Sequence, residues 1–162
     1  MFEIRKLPAD RWKEHKALRL EALKREPSAF GSSFEEEKRL TEEEWRRRMQ
    51  NVLFAMSGER PIGMIAYVFN DRSKTRHIAE IFGVYVNTRH RARGVGTALL
   101  TETLSLVRKN RRIVKVKLAV NSEQLAALRL YQSAGFVVSG REKKELKVGR
   151  KYIDLLAMEL LL

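Results

Sequence analysis

The stretch Ala79–Leu100, AEIFGVYVNTRHRARGVGTALL, constrains the fold of this chain more than any other. Its apolar run, Ile81, Phe82, Val84, Tyr85 and Val86, predicts a strand. Downstream, Thr97 to Lys109 repeats apolar residues at helical spacing through Leu100, Leu104 and Val107. Between strand and helix stand two glycines, Gly94 and Gly96, preceded by Arg91 and Arg93. The first amides of a helix lack partners inside the helix and carry partial positive charge. Glycines there let an anion approach the backbone without meeting a Cβ. Arg91 and Arg93 can add charge-assisted contacts. The stretch therefore reads as a cradle for a pyrophosphate, although a tight turn would ask for the same two glycines.

The dinucleotide-binding version of such a loop does not fit. Leu99 stands where its third glycine would be, and the segment that should supply a ribose-binding acid reads Ile113-Val114-Lys115-Val116-Lys117.

The pattern Arg91-x-x-Gly94-x-Gly96 resembles the acyl-CoA signature of the GNAT superfamily of N-acetyltransferases. A second segment, Leu118–Phe136, LAVNSEQLAALRLYQSAGF, is similar to that family's N-x-x-A-x-x-L-Y-x-x-x-G-F stretch. Two motifs in this order and separation are far more specific than either alone. The resemblance implies a single α/β (α+β) domain over residues 1–162. It implies a mixed, mostly antiparallel sheet of six to seven strands with about four helices. The sheet should splay between the strand ending at Val86 and the strand Ile113–Val120. The implied activity is acetyl-CoA-dependent N-acetylation of a primary amine by direct attack in a ternary complex.

The resemblance also assigns roles. The strand through Val84, Tyr85 and Val86 should offer its backbone to the pantetheine arm. Arg91, Ala92, Arg93, Gly94, Val95, Gly96 and Thr97 should hold the pyrophosphate. Glu80 lies 11 positions before Arg91, the spacing of the catalytic glutamate in one branch of the family, and is the candidate general base. Strand alternation would put it on one face with Phe82, Val84 and Val86. An alkylammonium has a pKa of about 10, so a carboxylate acting directly or through water suits the task. Tyr131 occupies the family's tyrosine position and is the candidate general acid. The family's asparagine seven residues before it is Gln124 here, and Asn121 is the alternative coenzyme contact. The loop Phe30, Gly31, Ser32 and Ser33 is the candidate acceptor wall, or an ordinary helix connection.

Composition narrows the field further. The chain has 162 residues, 44% of them hydrophobic, enough for one sizeable core. It has no cysteine, which excludes disulfides, thiolate metal sites and a cysteine nucleophile. Its three histidines are scattered, so no metal is expected. No apolar run is long enough to span a bilayer, and the first residues carry charges throughout, so a cytoplasmic protein without membrane attachment is expected. The net charge of +13 fits either a nucleic-acid binder or a protein with an anion site. Basic residues alternate with glutamates along the whole chain and no aromatic platform accompanies them, which favours the anion site. An amine-bearing acceptor, small molecule or protein, is the expected partner, and relatives of this kind often pair as homodimers. The rival outside enzymology is a coenzyme-A-binding regulatory module without turnover.

The remaining segments fill in the frame. Phe2–Arg5 predicts a first strand, followed by a helix capped by Asp10 and ended by Pro27. Thr41-Glu42-Glu43-Glu44 is a capping box. Val52–Met56, Ile62–Phe69 and the strand ending at Val86 read as a meander. Val114, Val116, Leu118 and Val120 alternate with Lys115 and Lys117, a strand with one polar side, and Ser122 is placed to cap the next helix. Val137-Val138 and Tyr152–Leu160 read as closing strands around the charged segment Lys143–Lys151.

Overall fold

A computed structural model describes residues 1–162. Seven strands form one sheet: β1 (Glu3–Arg5), β2 (Val52–Ser57), β3 (Arg60–Phe69), β4 (Ile78–Val86), β5 (Lys115–Asn121), β6 (Val137–Val148) and β7 (Lys151–Leu161). Their order is β1-β2-β3-β4-β5-β7-β6, and every neighbouring pair is antiparallel except β4–β5. Five α-helices accompany them: α1 (Trp12–Arg25), α2 (Phe34–Glu37), α3 (Glu42–Arg48), α4 (Val95–Lys109) and α5 (Leu125–Ser133). The one beyond the expected four is α2, a single turn held by a capping box between Ser33 and Glu36. The Thr41–Glu44 box at the start of α3 forms as its sequence predicts.

Two cores lie on opposite faces of the sheet. Alternate residues of β3 and β4 (Ile65, Tyr67, Ala79, Ile81) join Leu99, Leu100, Leu104 and Val107 of α4 in the larger one. The smaller core sets Leu18, Ala22 and Leu23 of α1 against Phe54, Met64 and Tyr85.

The expected splay is present. β4 and β5 pair only through Ile78–Glu80 and Lys115–Lys117, and beyond Glu80 the two strands diverge. A second irregularity lies on the other side of β4. Met64 pairs with Tyr85 and Ala66 with Phe82, so Gly83 and Val84 together stand opposite Ile65. This is a β-bulge, which inserts a residue and shifts the alternation of side chains downstream. Gly83 takes a φ of +62°, a value that disfavours residues carrying a Cβ.

Two local expectations are corrected. Asp10 does not cap α1: it lies inside a 3-10 turn, Ala9–Arg11, and Arg11 precedes the helix. Ser122 does not cap α5, whose flanking residue is Gln124. The closing hairpin forms, and its strands take in most of the charged segment Lys143–Lys151. β6 runs through it to Val148, and only Gly149 and Arg150 make the turn. Asp154 supports this strand by accepting from the Lys144 amide at 2.8 Å and from Arg141 Nε at 2.9 Å.

Candidate active site

The divergence of β4 from β5 opens a cleft of about 500 Å³. One wall is β4 from Ile81 to Val86, the other Ala119 and Val120 of β5 with Leu125–Ala127, Leu130 and Tyr131 of α5. The floor at one end is the loop before α4, where Arg91, Ala92, Gly94, Val95, Gly96 and Thr97 line the cleft. Gly94 immediately precedes α4 with φ +79°, and Ala92 also has positive φ, at +58°. A Cβ on Gly94 would meet no atom within 4 Å, so what requires glycine there is the left-handed backbone. Gly96 differs: a Cβ there would lie 3.4 Å from Leu130 Cδ2, close to the joint between α4 and α5. Successive amides turned by left-handed residues at a helix N-terminus make an anion-binding concavity.

Arg91 and Arg93 behave differently. Arg91 is engaged within the protein: Nε donates to the Val86 carbonyl at 2.9 Å, and the guanidinium pairs with Glu26 at 2.7 Å. It braces the loop against the end of β4. Arg93 is exposed, has no ion-pair partner, and lies outside the lining.

Tyr131 lies at the cleft wall, 6% exposed, packed edge-on against Phe136. No protein group hydrogen-bonds its hydroxyl, and burial pushes its pKa up to about 12. Tyr85 is held otherwise. Its side chain belongs to the smaller core and its hydroxyl donates to Glu21 at 2.8 Å, so it can serve the cleft only through its main chain.

The bulge corrects the expectation for Glu80. Ala79 and Ile81 are buried in the α4-side core, so Glu80 and Phe82 face the α1 side. After the extra residue, Val84 and Val86 pack towards the α4-side core instead. Glu80 therefore shares a face with Phe82 but not with Val84 and Val86. It is half-exposed, 3.7 Å from Lys117 Nζ, and does not line the cleft. The run Ile81–Val86 is apolar apart from Gly83, which hides the change of phase in the sequence.

Asn121 is also placed away from the cleft lining. Its Nδ2 donates to the Ser28 carbonyl at 3.1 Å and its Oδ1 accepts from the Glu123 amide at 2.9 Å. With its amide so engaged at 3% exposure, it ties β5 to the turn after α1. Gln124 does line the cleft.

Sequence reasoning missed a second chamber of about 350 Å³ on the α1 side of the sheet, which meets the cleft at Phe82 and Gly83. Its polar lining includes His15, Arg19, Ser32, Glu37, Arg47 and Arg48. Of the loop expected as an acceptor wall, Ser32 faces this chamber and Phe30 the cleft. Gly31 lines neither, and Ser33 caps α2. Glu37, 3% exposed, accepts two hydrogen bonds from Arg19, both at 2.9 Å, and pairs with Arg48 at 3.1 Å. Burial alone would raise the Glu37 pKa, but the two guanidiniums hold it below the usual carboxylate range. His15 is buried between Trp45 and Phe54. Desolvation, then the charges of Arg19 and Arg48, lower its pKa to about 4, so it is neutral at pH 7. The residues of this chamber come from distant segments with no shared motif, which is why spacing does not reveal it.

The family model for the acetyltransferase (GNAT) family matches residues 17–136, which include the splayed strands, the loop and most of both chambers. The chain belongs to the GNAT acetyltransferase family. A GNAT-family acetyltransferase from Streptococcus pneumoniae superposes with a TM-score of 0.89 at 24% identity, covering 100% of both chains. The GNAT fold here is also that of yncA from Salmonella typhimurium, determined with its cofactor acetyl-CoA, at a TM-score of 0.84 and 19% identity over 99% of this chain and 94% of that one. Among curated relatives, an L-amino acid N-acetyltransferase of Escherichia coli strain K12 is 28% identical over 93 residues. That match spans 57% of this GNAT chain and 57% of the relative, little more than half of either.

Proposed function

We propose that this protein is an acetyl-CoA-dependent N-acetyltransferase acting on a primary amine. The observation that carries the reading is the cleft itself. It runs from an amide-lined helix N-terminus along an unpaired stretch of β4 to a bulge that opens into a second chamber. A diphosphate at one end, an extended amide-bearing arm in the middle and an acyl thioester at the bulge fit that sequence of surfaces.

Acetyl-CoA supplies an acetyl group activated as a thioester. The amides of Ala92 to Thr97 hold the diphosphate, with Arg93 free to add charge. The main chain of Phe82 to Val86, unclaimed by β5, pairs with the arm in the manner of an added strand. Gly83 and Val84 are released from the regular ladder by the bulge, and an amide here is aimed at the carbonyl oxygen where negative charge develops. The acceptor enters from the α1-side chamber. Once it has lost its ammonium proton, its nitrogen forms the C–N bond as the C–S bond breaks, and the second proton it sheds passes through solvent to the departing sulfur. Glu80, on the chamber's face of β4, takes the ammonium proton through water. The Tyr131 phenol stays protonated throughout the neutral range and donates a hydrogen bond to the departing sulfur. Its proton is more tightly held than that of a thiol, of pKa about 8.5, so stabilisation of the thiolate is its main contribution.

Acetyl-CoA at 100 times its dissociation constant should stabilise the protein by about 2.7 kcal/mol, read as a rise in Tm. Thiol release with an amine panel then separates a catalyst from a coenzyme-A-binding module. Glu80→Gln should lower kcat by about 10²–10⁴-fold while leaving the acetyl-CoA dissociation constant unchanged. No Tm rise with acetyl-CoA would refute the reading, and an unchanged kcat in Glu80→Gln would remove that residue from the mechanism.

A further inference from the structure

The α1-side chamber is charged in a way an amine acceptor alone does not explain. An ammonium would be drawn to carboxylates, yet the one carboxylate among its lining residues, Glu37, is spent on Arg19 and Arg48. Arg47 is paired outside the chamber with Glu43 at 3.4 Å, and His15 is neutral, so Arg19 and Arg48 against the single Glu37 carboxylate leave the chamber a surplus of one positive charge.

Arg19 is the most constrained of the three. Its side chain is 11% exposed, Nε and Nη2 are both bound to Glu37, and the guanidinium lies 4.7 Å from the centre of the Phe30 ring. Only Nη1 is left without an acceptor in the protein. It lies 3.6 Å from the position a Cβ on Gly83 would take, at the residue where the chamber meets the cleft. A fixed cation with a free N–H, pre-oriented by two hydrogen bonds and a ring, loses little entropy when it binds an anion. Beside it, Arg48 stacks on Trp45 and its side chain keeps 40% exposure.

Building on the acetyl-transfer reading, we infer that the acceptor is a small amine with a carboxylate next to its nitrogen, of the α-amino-acid type, whose carboxylate is bound by Arg19 Nη1 and Arg48. The geometry sets the spacing. The nitrogen must reach the thioester beside Gly83, and Arg19 Nη1 stands at that same residue, so the anion and the amine must be close neighbours in one molecule. The whole chamber measures about 350 Å³, with Met64, Ala66 and Tyr67 in its walls, and what the carboxylate and amine leave of it has room for one side chain. A polyamine would bring only like charge to it, and the amino terminus of a peptide has an amide where the carboxylate is needed.

The test uses the intact protein. Free amino acids, the matching amino-acid amides, the matching decarboxylated amines, a polyamine and short peptides are compared by thiol release at saturating acetyl-CoA. The expected result is a kcat/KM at least tenfold higher for an acid than for its own amide and amine. Arg48→Gln, at a half-exposed position, should raise KM for the acid at least tenfold, shrink the acid-to-amide preference, and leave KM for acetyl-CoA unchanged. Arg19→Lys should do the same, and a merely structural role for Arg19 would lower Tm without moving that preference. If acetyl-CoA binds but acids are turned over no faster than amides, amines or peptides, or not at all, the inference is wrong while the acetyl-transfer reading stands. If acetyl-CoA fails to bind, it is that reading which falls.

Discussion

The Tyr85 hydroxyl donates to Glu21 Oε1 over 2.8 Å, joining the segment of β4 just past the bulge to the middle of α1. The same oxygen accepts from Asn87 Nδ2 at 2.6 Å, so one carboxylate fixes both the end of β4 and the start of the segment leading to α4. Burial and the hydrogen bond to Glu21 both push the phenol's pKa well above its ordinary value, which keeps the proton in place.

Tyr85→Phe removes one donor from a charged acceptor that keeps its other partner. The expected loss is about 1.5 kcal/mol, read as a lower denaturant midpoint at unchanged m-value. A change within 0.3 kcal/mol would show that solvent replaces the phenol at no cost.

Tyr131→Phe should behave in the opposite way. The Tyr131 hydroxyl has no protein partner, so its removal should alter stability by less than about 0.5 kcal/mol. Acetyl-CoA affinity should hold, while kcat falls by about 10²-fold through loss of the donor to the departing sulfur. A wild-type kcat in this variant would show that water does that work.

Gly94→Ala tests the loop. Space is open for a Cβ, so only the backbone at φ +79° resists, at a cost of about 1–2 kcal/mol. If the loop relaxes to a right-handed conformation instead, stability is kept and acetyl-CoA affinity drops. Calorimetric titration beside thermal unfolding separates the two. A variant unchanged in both would remove the conformational argument.

His15 gives the protein a pH dependence with a definite sign. Unfolded, it takes up a proton near pH 6.5; folded, only near pH 4. Between those values the unfolded state binds more protons, so stability is full above pH 6.5 and declines as pH falls towards 4. The difference is worth about 3 kcal/mol. Denaturant midpoints from pH 7 to 4 should follow that slope, and His15→Leu should flatten it. An equal slope in the variant would assign it to the carboxylates.

Much of this was legible in the chain because it rests on local chemistry. Gly94 and Gly96 before an amphipathic stretch announce the loop and α4. Thr41 with Glu44 announces the start of α3. The alternation from Val114 to Val120 announces β5, although its pairing begins only at Lys115. What was hidden depends on partners far away or on parity. The bulge is marked only by Gly83, and the residues around it are apolar on both faces, so plain alternation carries Glu80 correctly to Phe82 but wrongly on to Val84 and Val86. Asn121 looks like a coenzyme contact until the Ser28 carbonyl, 93 residues earlier, takes its amide. β6 was obscured by its charge. As the edge strand, exposed along most of its length, it needs no apolar alternation, and its lysines discourage pairing with another sheet.

The three residue pairs that join β4 to β5 leave the protein with a mechanical seam. On one side stand β1 to β4, on the other β5 to β7, and near the loop end the bridges are packed helices and the hydrogen bond from Asn121 to Ser28. Amides from Phe82 to Val86 should therefore exchange their hydrogens well before those of β2 or β3, and stretching or heating should part the sheet along this line first. A molecule lying in the gap would bridge the two halves, so filling the site and stiffening the fold would be one event.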